Sequence, residues 1–372
     1  MSAPDRPTAC LALADGTLFL GRGFGAPGEV AAELVFDTAM AGFQEIVSDP
    51  ASTGRIIVFT FPHVGNTGTT PEDDESAGPA AAGIVTRAHP TEPSNWRARD
   101  TLDGWLARAG RIGISGVDTR RLSRLIRDAG NMPAILAHDP SGRLDTAQLL
   151  ARAAGRGTAP APASGGTHTL GHDPLETRWE WPGGFGRRAP GGPRIAVIDL
   201  GVRRDTLRAL ASRGCEAVVL PATATVDEVT AQAPAGVLVA GGRDDPAALA
   251  AAADTIRALL ERGLPLAGLG AGHLALGLAL GAQVTRLKHG HHGANHPVRE
   301  IASRRVEIVD TSTNHVIDGS RLPEGVVATH ESLFDGSNYG IALVGRPVFS
   351  RQSCADPEAG LLSRLAASTF PT

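Results

Sequence analysis

Cysteine is scarce in this sequence: Cys10, Cys215 and Cys354 stand far apart. That spacing makes neither a disulfide framework nor a zinc-binding pattern. The opening Met-Ser-Ala-Pro-Asp-Arg-Pro-Thr lacks the apolar core of a signal peptide, so the cytoplasm is the expected compartment. Long runs of one charge are missing as well. A formal net charge of -4, with no basic or acidic block, points away from nucleic acid and from membrane surfaces. Aromatic residues make up only 4%, while alanine, glycine and arginine are abundant, a bias in keeping with GC-rich coding. The hydrophobic share of 42% is ordinary, and 372 residues are enough for two or three domains with their own cores.

The most apolar stretch, residues 264–284, contains only two clearly polar side chains, those of His273 and Gln283. Its length suits a membrane span, but five glycines, a proline and a central histidine argue against a lipid-facing helix. The pattern predicts a buried strand over 265–269, a glycine-rich turn, and an apolar helix from about 273 to 280. Gly268-Leu269-Gly270-Ala271-Gly272 has the form of a strand-to-helix nucleophile elbow. In such a turn the central residue sits in a strained conformation, and small neighbours let strand and helix pack closely. A hydrolase places Ser or Cys at the centre. Here the centre is Gly270, which suits the backbone and carries no nucleophile.

Residues 8–152 read as a mixed α/β region. Strands are predicted over 9–13, 17–20, 33–37 and 55–61, with a turn at Asp15-Gly16. Helices are predicted over 101–109 and 119–128, the second capped by Asp118. Composition changes between 155 and 193, where Gly-Thr-Ala-Pro-Ala-Pro-Ala-Ser-Gly-Gly and Ala-Pro-Gly-Gly-Pro cannot build a core. This stretch reads as a linker, with Trp179, Trp181 and Phe185 available to anchor it to a domain surface. From 194 short strands (195–200, 217–220, 236–240) alternate with helices (203–213, 246–260). That order predicts a doubly wound parallel sheet with its site at the strand carboxyl ends, where Gly241, Gly270 and the segment after Phe349 converge.

Several motifs share one resemblance. Pro265-Leu266-Ala267-Gly268-Leu269-Gly270-Ala271-Gly272-His273-Leu274 resembles the class I glutamine amidotransferase elbow, Pro-x-Phe-Gly-Ile-Cys-x-Gly-His-Gln. Lys288-His289-Gly290-His291-His292-Gly293-Ala294-Asn295-His296-Pro297-Val298, Thr311-Ser312-Thr313-Asn314-His315 and Thr329-His330-Glu331-Ser332-Leu333-Phe334-Asp335-Gly336 resemble one branch of that family. The branch is the small, glutamine-hydrolysing subunit of carbamoyl-phosphate synthetase. Phe36-Asp37-Thr38-Ala39-Met40-Ala41-Gly42-Phe43-Gln44-Glu45-Ile46, Phe61-Pro62-His63-Val64-Gly65-Asn66-Thr67-Gly68 and Gly116-Val117-Asp118-Thr119-Arg120 extend the likeness to the N-terminal half. The resemblance implies an α/β chain with three parts. These are a mixed β/α domain (1–154) that docks on the large subunit, the linker (155–193), and a glutamine amidotransferase-like domain (194–372).

The same comparison exposes what the site has lost. Amide hydrolysis by this route needs a cysteine thiolate, a histidine to move the proton, a carboxylate to orient it, and backbone N–H groups for the oxyanion. The family's Phe-Ser-x-Gln-x-His-Pro-Glu segment corresponds to Phe349-Ser350-Arg351-Gln352-Ser353-Cys354-Ala355-Asp356. On that register Cys354 replaces the histidine and Asp356 the glutamate. Anchoring on Pro357-Glu358-Ala359 instead puts Asp356 at the histidine, and neither register restores an imidazole. Leu274 replaces the glutamine-gripping Gln, Ala51 replaces a pocket serine, and the oxyanion loop has become Val239-Ala240-Gly241-Gly242-Arg243-Asp244-Asp245-Pro246. Gly241, Ala271 and Asn314 are the residual substrate-binding positions.

The expectation is therefore a carbamoyl-phosphate synthetase small subunit without glutaminase activity, supporting a large subunit that uses free ammonia. The resemblance assigns ATP and Mg to that partner and no cofactor to this chain. Two alternatives stay open: an active glutaminase built on non-standard residues, and a free-standing binding or regulatory paralogue. The histidines at 289, 291, 292 and 296 invite a metal, but no cysteine or carboxylate falls at useful spacing, so none is expected. Cys10 and Cys215 read as core residues.

Overall fold

The structure, a computed structural model, describes residues 6–155, 176–180, 184–187, 191–242, 244, 246–353 and 358–369. It divides into two compact units, Met1–Ser164 and Gly165–Thr372.

The first unit is a closed barrel of β1 (Ala9–Leu13), β2 (Leu18–Gly25), β3 (Gly28–Asp37), β4 (Arg55–Phe59), β5 (Gly83–Val85), β6 (Ile112–Ser115) and β7 (Met132–His138). Their order is β1-β2-β6-β5-β4-β3-β7, closed by antiparallel pairing of β7 with β1. Strands β3 to β6 pair in parallel. They are covered on both faces, which is why β4 reads as the unbroken run Arg-Ile-Ile-Val-Phe. Ile56 and Val58 join one core with Leu122 and Ile126 of the helix Thr119–Ala129, while Ile57 and Phe59 join another with Trp105 of the helix Leu102–Arg108. Asp118 caps the former helix by accepting the Arg121 N–H at 3.0 Å, and Thr101 caps the latter from Gly104 at 3.0 Å.

Strand β2 runs further than its composition predicts, through Leu-Gly-Arg-Gly-Phe-Gly. Glycine weakens a strand by itself, but a Cβ at Gly21 would collide with the Ser115 carbonyl, and one at Gly23 with the His138 ring. Close approach of β6 at Gly21, and of the His138 ring from β7 at Gly23, requires glycine here.

The second unit begins with a two-stranded ribbon, β8 (Glu176–Glu180) and β9 (Gly184–Arg187), within the stretch read as linker. The Arg208 guanidinium lies 4.3 Å over the Phe185 ring, fastening that ribbon to the helix Arg204–Ser212. Trp181 lies outside the described residues. The main sheet comprises β10 (Arg194–Asp199), β11 (Glu216–Pro221), β12 (Gly236–Gly241), β13 (Leu266–Gly270), β14 (Val284–Glu300), β15 (Val306–Ile317), β16 (Val326–Ser332), β17 (Asn338–Leu343) and β18 (Val348–Arg351). Its nine strands run β11-β10-β12-β13-β18-β17-β15-β14-β16.

Only part of this sheet is parallel. Strands β11, β10, β12, β13 and β18 are mutually parallel, but β17 pairs antiparallel to β18, and β14 to β17 pair antiparallel among themselves. The doubly wound parallel sheet expected for residues 194–372 is present, and antiparallel strands extend it into a mixed sheet. The alternating strand-helix pattern stops at the helix Ala271–Ala279, and strands joined by turns without helices fold back antiparallel. In the parallel part, inward residues alternate between two cores: Ala196, Ile198, Val237 and Val239 face one layer, Ile195, Val197 and Leu238 the other.

The apolar stretch 264–284 resolves into β13, a tight turn and the helix Ala271–Ala279, whose Leu274, Ala275 and Leu276 are fully buried. Its hydrophobicity reflects packing between the sheet and the helix Pro246–Glu261. No helix among the described residues is long and apolar enough to cross a membrane.

Candidate functional site

The turn closing β13 has the geometry that the glycine pattern predicts. Gly270 adopts φ 63° and ψ -121°, a conformation open mainly to glycine, and the helix starts at the next residue. Its neighbours are glycine because there is no room for anything larger. A Cβ at Gly272 would strike the Val239 carbonyl, and one at Gly268 would lie 2.9 Å from Ser350 Cβ and against the Gly272 carbonyl.

Three strand ends meet here. Gly241, the last residue of β12, is the register partner of Gly270, and Leu269 is the partner of Arg351 on β18. A Cβ at Gly270 would press directly on the Gly241 carbonyl oxygen, with the Gln352 carbonyl 4.0 Å away. The space a nucleophile needs is filled by backbone. Gly241 cannot easily retreat, since its own Cβ position abuts the Leu200 carbonyl and lies 2.7 Å from the Gly201 amide.

Among the described residues, no imidazole at this turn is poised as a base. His273 is completely buried, its Nδ1 lies 2.8 Å from Ser350 Oγ, and Nε2 finds no partner among the described residues. Burial, with His330 nearby, pushes its pKa down to about 3, so it is a neutral latch between the helix and β18. Leu274 is likewise sealed into the apolar core beside Val239 and Ala271. Ala51, in the first unit, is buried in the short turn Pro50–Ser52, where its amide donates to Asp49 Oδ1 at 2.8 Å.

Cys354 and Asp356 lie outside the described residues. Just before them, the Gln352 amide donates to the Tyr339 carbonyl at 2.9 Å, and the Arg351 guanidinium donates to Glu307 at 2.8 Å. Gln352 Oε1 and Ser353 Oγ are buried without a partner among the described residues.

Asn314 lies in a network that motif reading does not reveal. Asp244, which follows the end of β12, accepts the Asn314 backbone N–H at 2.8 Å and the His315 Nδ1–H at 2.8 Å through one carboxylate oxygen. Asn314 Oδ1 in turn lies 3.3 Å from His292 Nε2, whose Nδ1 is 3.1 Å from Ser312 Oγ. Asp244–His315 is a carboxylate-oriented imidazole, the arrangement used by a general base, but Gly270 at the centre of the elbow gives it no hydroxyl or thiol to activate. Ala271 is buried at the helix start and offers only its backbone.

His291 and His296 of the run form a stack. The His291 and His296 rings are 4.5 Å apart, Tyr339 stacks on His296 at 4.9 Å, and Phe334 meets it edge-on at 4.7 Å. His291 Nδ1 lies 2.7 Å from the Tyr339 hydroxyl and its Nε2 3.2 Å from Asp335; His296 Nε2 lies 2.9 Å from Ser332 Oγ. Among the described residues no group of three or more His, Cys, Asp or Glu side chains is arranged to hold a metal ion. Desolvation, helped by His291, holds His296 at about 4, so it is neutral and packs as an aromatic ring.

A mixed sheet with a glycine-lined elbow at the carboxyl end of a central parallel strand defines a class I glutamine amidotransferase fold. Residues 196–353 match the model of that family, Glutamine amidotransferase class-I. Residues 11–136 match a second model, Carbamoyl-phosphate synthase small chain, CPSase domain. The chain is 52% identical over 351 residues to the Carbamoyl phosphate synthase small chain of Ruegeria pomeroyi, covering 93% of this chain and 90% of that one. It is 45% identical over 362 residues to the protein of the same description from Brucella anthropi, covering 95% and 88%. The chain belongs to the carbamoyl phosphate synthase small-chain family.

Proposed function

We propose that this chain is a carbamoyl phosphate synthase small subunit that has lost glutamine hydrolysis and supports a large, synthetic subunit supplied with free ammonia. The observation that carries this reading is the elbow itself. Gly270 brings no nucleophile, and the Gly241 carbonyl occupies the place where its side chain would begin. Losing a triad's nucleophile leaves at most about 10³–10⁴-fold acceleration over water, from oxyanion stabilisation and binding alone. With Leu274 apolar and buried, the grip on an amino-acid substrate is weaker as well.

Docking on a large subunit is supported by the N-terminal family match, and that partner would carry the ATP and Mg chemistry. On this reading the complex works in the cytoplasm, and its product enters arginine and pyrimidine synthesis. The Asp244–His315 pair favours one alternative, in which an oriented imidazole activates water directly against a bound amide.

Glutamate release separates the two. The purified complex is expected to make carbamoyl phosphate from ammonium salts, with no glutamine-dependent rate above that background. Saturable glutamate release lost in His315→Ala would replace the proposal with the alternative. Separate elution of the two subunits at micromolar concentration would remove the docking role.

A further inference from the structure

Strand β15 departs from the pattern of an antiparallel sheet with one face to the core, where apolar side chains point in and polar ones out. Val309 is fully buried, yet Val306 and Ile308 on the opposite face are 51% and 56% exposed. Glu307, between them, alternates to the other face and accepts from the Arg351 guanidinium at 2.8 Å.

The register carries this outward apolar face across two more strands. Ile308 is the partner of Pro297 on β14, and the amide of Leu333, just past the end of β16, donates to the Pro297 carbonyl at 2.9 Å. Leu333 is itself an exposed large apolar side chain. In the next row Val306 is the partner of Arg299, which is the partner of Glu331. Side chains opposite one another in a ladder share a face, so these residues form one outer surface. Exposed apolar groups gathered in this way and rimmed by charge mark a surface that a partner covers.

The charges indicate which partner. Arg304, in the turn before β15, is exposed at φ 59° and makes no ion pair among the described residues. Asp310, two residues beyond Ile308 on the same face, meets Arg203 at 3.2 Å through Oδ2, and its side chain stays 43% exposed. The outward row of β15 therefore runs basic, apolar, apolar, acidic, with its ends about 20 Å apart. Such a row complements its own reverse. A two-fold axis lying between two facing copies and crossing β15 at Glu307 sets Val306 against Ile308 and Arg304 against Asp310. An unrelated partner would require no such symmetry.

We infer that the outer face of strands β14, β15 and β16 docks a second copy of this chain. The two β15 strands face each other antiparallel, with Val306 and Ile308 at the centre and two Arg304–Asp310 ion pairs at the rim. Arg299 and Glu331 enter the contact already paired within one chain, Nε to carboxylate at 2.8 Å. A three-strand face of about 14 Å by 20 Å is smaller than the roughly 800 Å² per partner of a standard interface, so the dimer is expected to be reversible at micromolar concentration.

The test is sedimentation velocity of the full chain from about 1 to 100 µM, with the mass rising from 38.3 kDa towards twice that value. Ile308→Asp, at an exposed position, should keep the melting temperature and stay monomeric. Arg304→Asp and Asp310→Arg should each weaken association about tenfold, and an equimolar mixture of the two should recover it, because the heterodimer restores both opposite-charge pairs. If Asp310→Arg does not fold beside Arg203, Val306→Asp takes its place and should match Ile308→Asp. A monomer at 100 µM, a dimer unaffected by Ile308→Asp, or a mixture of the folded charge variants that stays weak each overturns the assignment. Should the wild-type chain stay monomeric and Ile308→Asp weaken co-elution with a large subunit, the occupant of this face is that subunit and not a second copy.

Discussion

Placing a thiol at the elbow by Gly270→Cys tests whether the turn is a vacant catalytic site or a closed one. Gly270 holds φ 63° and ψ -121°, and a side chain in such a conformation costs about 1–3 kcal/mol. The new Cβ would also overlap the Gly241 carbonyl, so the end of β12 must move although Leu200 and Gly201 crowd Gly241 from behind. Overpacking of this kind adds about 1–3 kcal/mol. The expected loss is about 2–6 kcal/mol in urea unfolding followed by circular dichroism. In the folded fraction the introduced thiol sits at the helix N-terminus and should react with a disulfide reagent well before Cys10, whose burial pushes its pKa up to about 11. Glutaminase activity should not return, because His273 is sealed and engaged with Ser350. Weak turnover is expected only when Cys354→His, Asp356→Glu and Leu274→Gln are added, the last at a desolvation cost of about 1–3 kcal/mol. A loss below about 1 kcal/mol would mean that the Gly241 carbonyl withdraws freely and the turn is not closed. Saturable glutamate release from Gly270→Cys alone would mean that another base, with Asp244–His315 the nearest in form, already serves the site.

Three further outcomes follow from the same contacts. His296 and His330 are each lowered from 6.5 to about 4, so the folded state disfavours their protonation. Stability should be level above pH 6.5, fall as pH drops from 6.5 towards 4, and flatten below that for these two groups; His296→Asn should shallow the fall measured by urea midpoints across pH, and an unchanged slope would contradict the assignment. Asp244→Asn should cost about 1–3 kcal/mol, since one carboxylate oxygen serves both Asn314 and His315, and a double-mutant cycle with His315→Ala should show coupling. Trp96, 72% exposed on the first unit, should contribute to large-subunit docking, with Trp96→Ala weakening co-elution about tenfold and leaving the melting temperature unchanged.

Much of the fold is legible in residue order. The runs at 195–200 and 236–240, each followed by a helical stretch, read as parallel strands with covering helices, and Asp118 marks a helix start that its side-chain bond to Arg121 makes real. The region 284–343 is less readable. Its strands are punctuated by glycine and histidine, and they carry polar groups that are buried only because neighbouring strands satisfy them, as with His296 on Ser332. Strand β2 is obscured for a related reason: its glycines answer to Ser115 and His138, residues about a hundred positions away that local propensity does not sense.

For the site, the sequence alone determined that residue 270 has no side chain, that Leu274 is not an amide, and that the turn's glycines permit an elbow. These are properties of residue identity and local spacing, and no packing alters them. Tertiary structure decided that the Gly241 carbonyl fills the nucleophile's place and that Asp244 meets His315. Each depends on which strands lie side by side and in what register. That register is set by burying two apolar faces of one sheet at once, a global balance of many weak contacts that no short motif encodes.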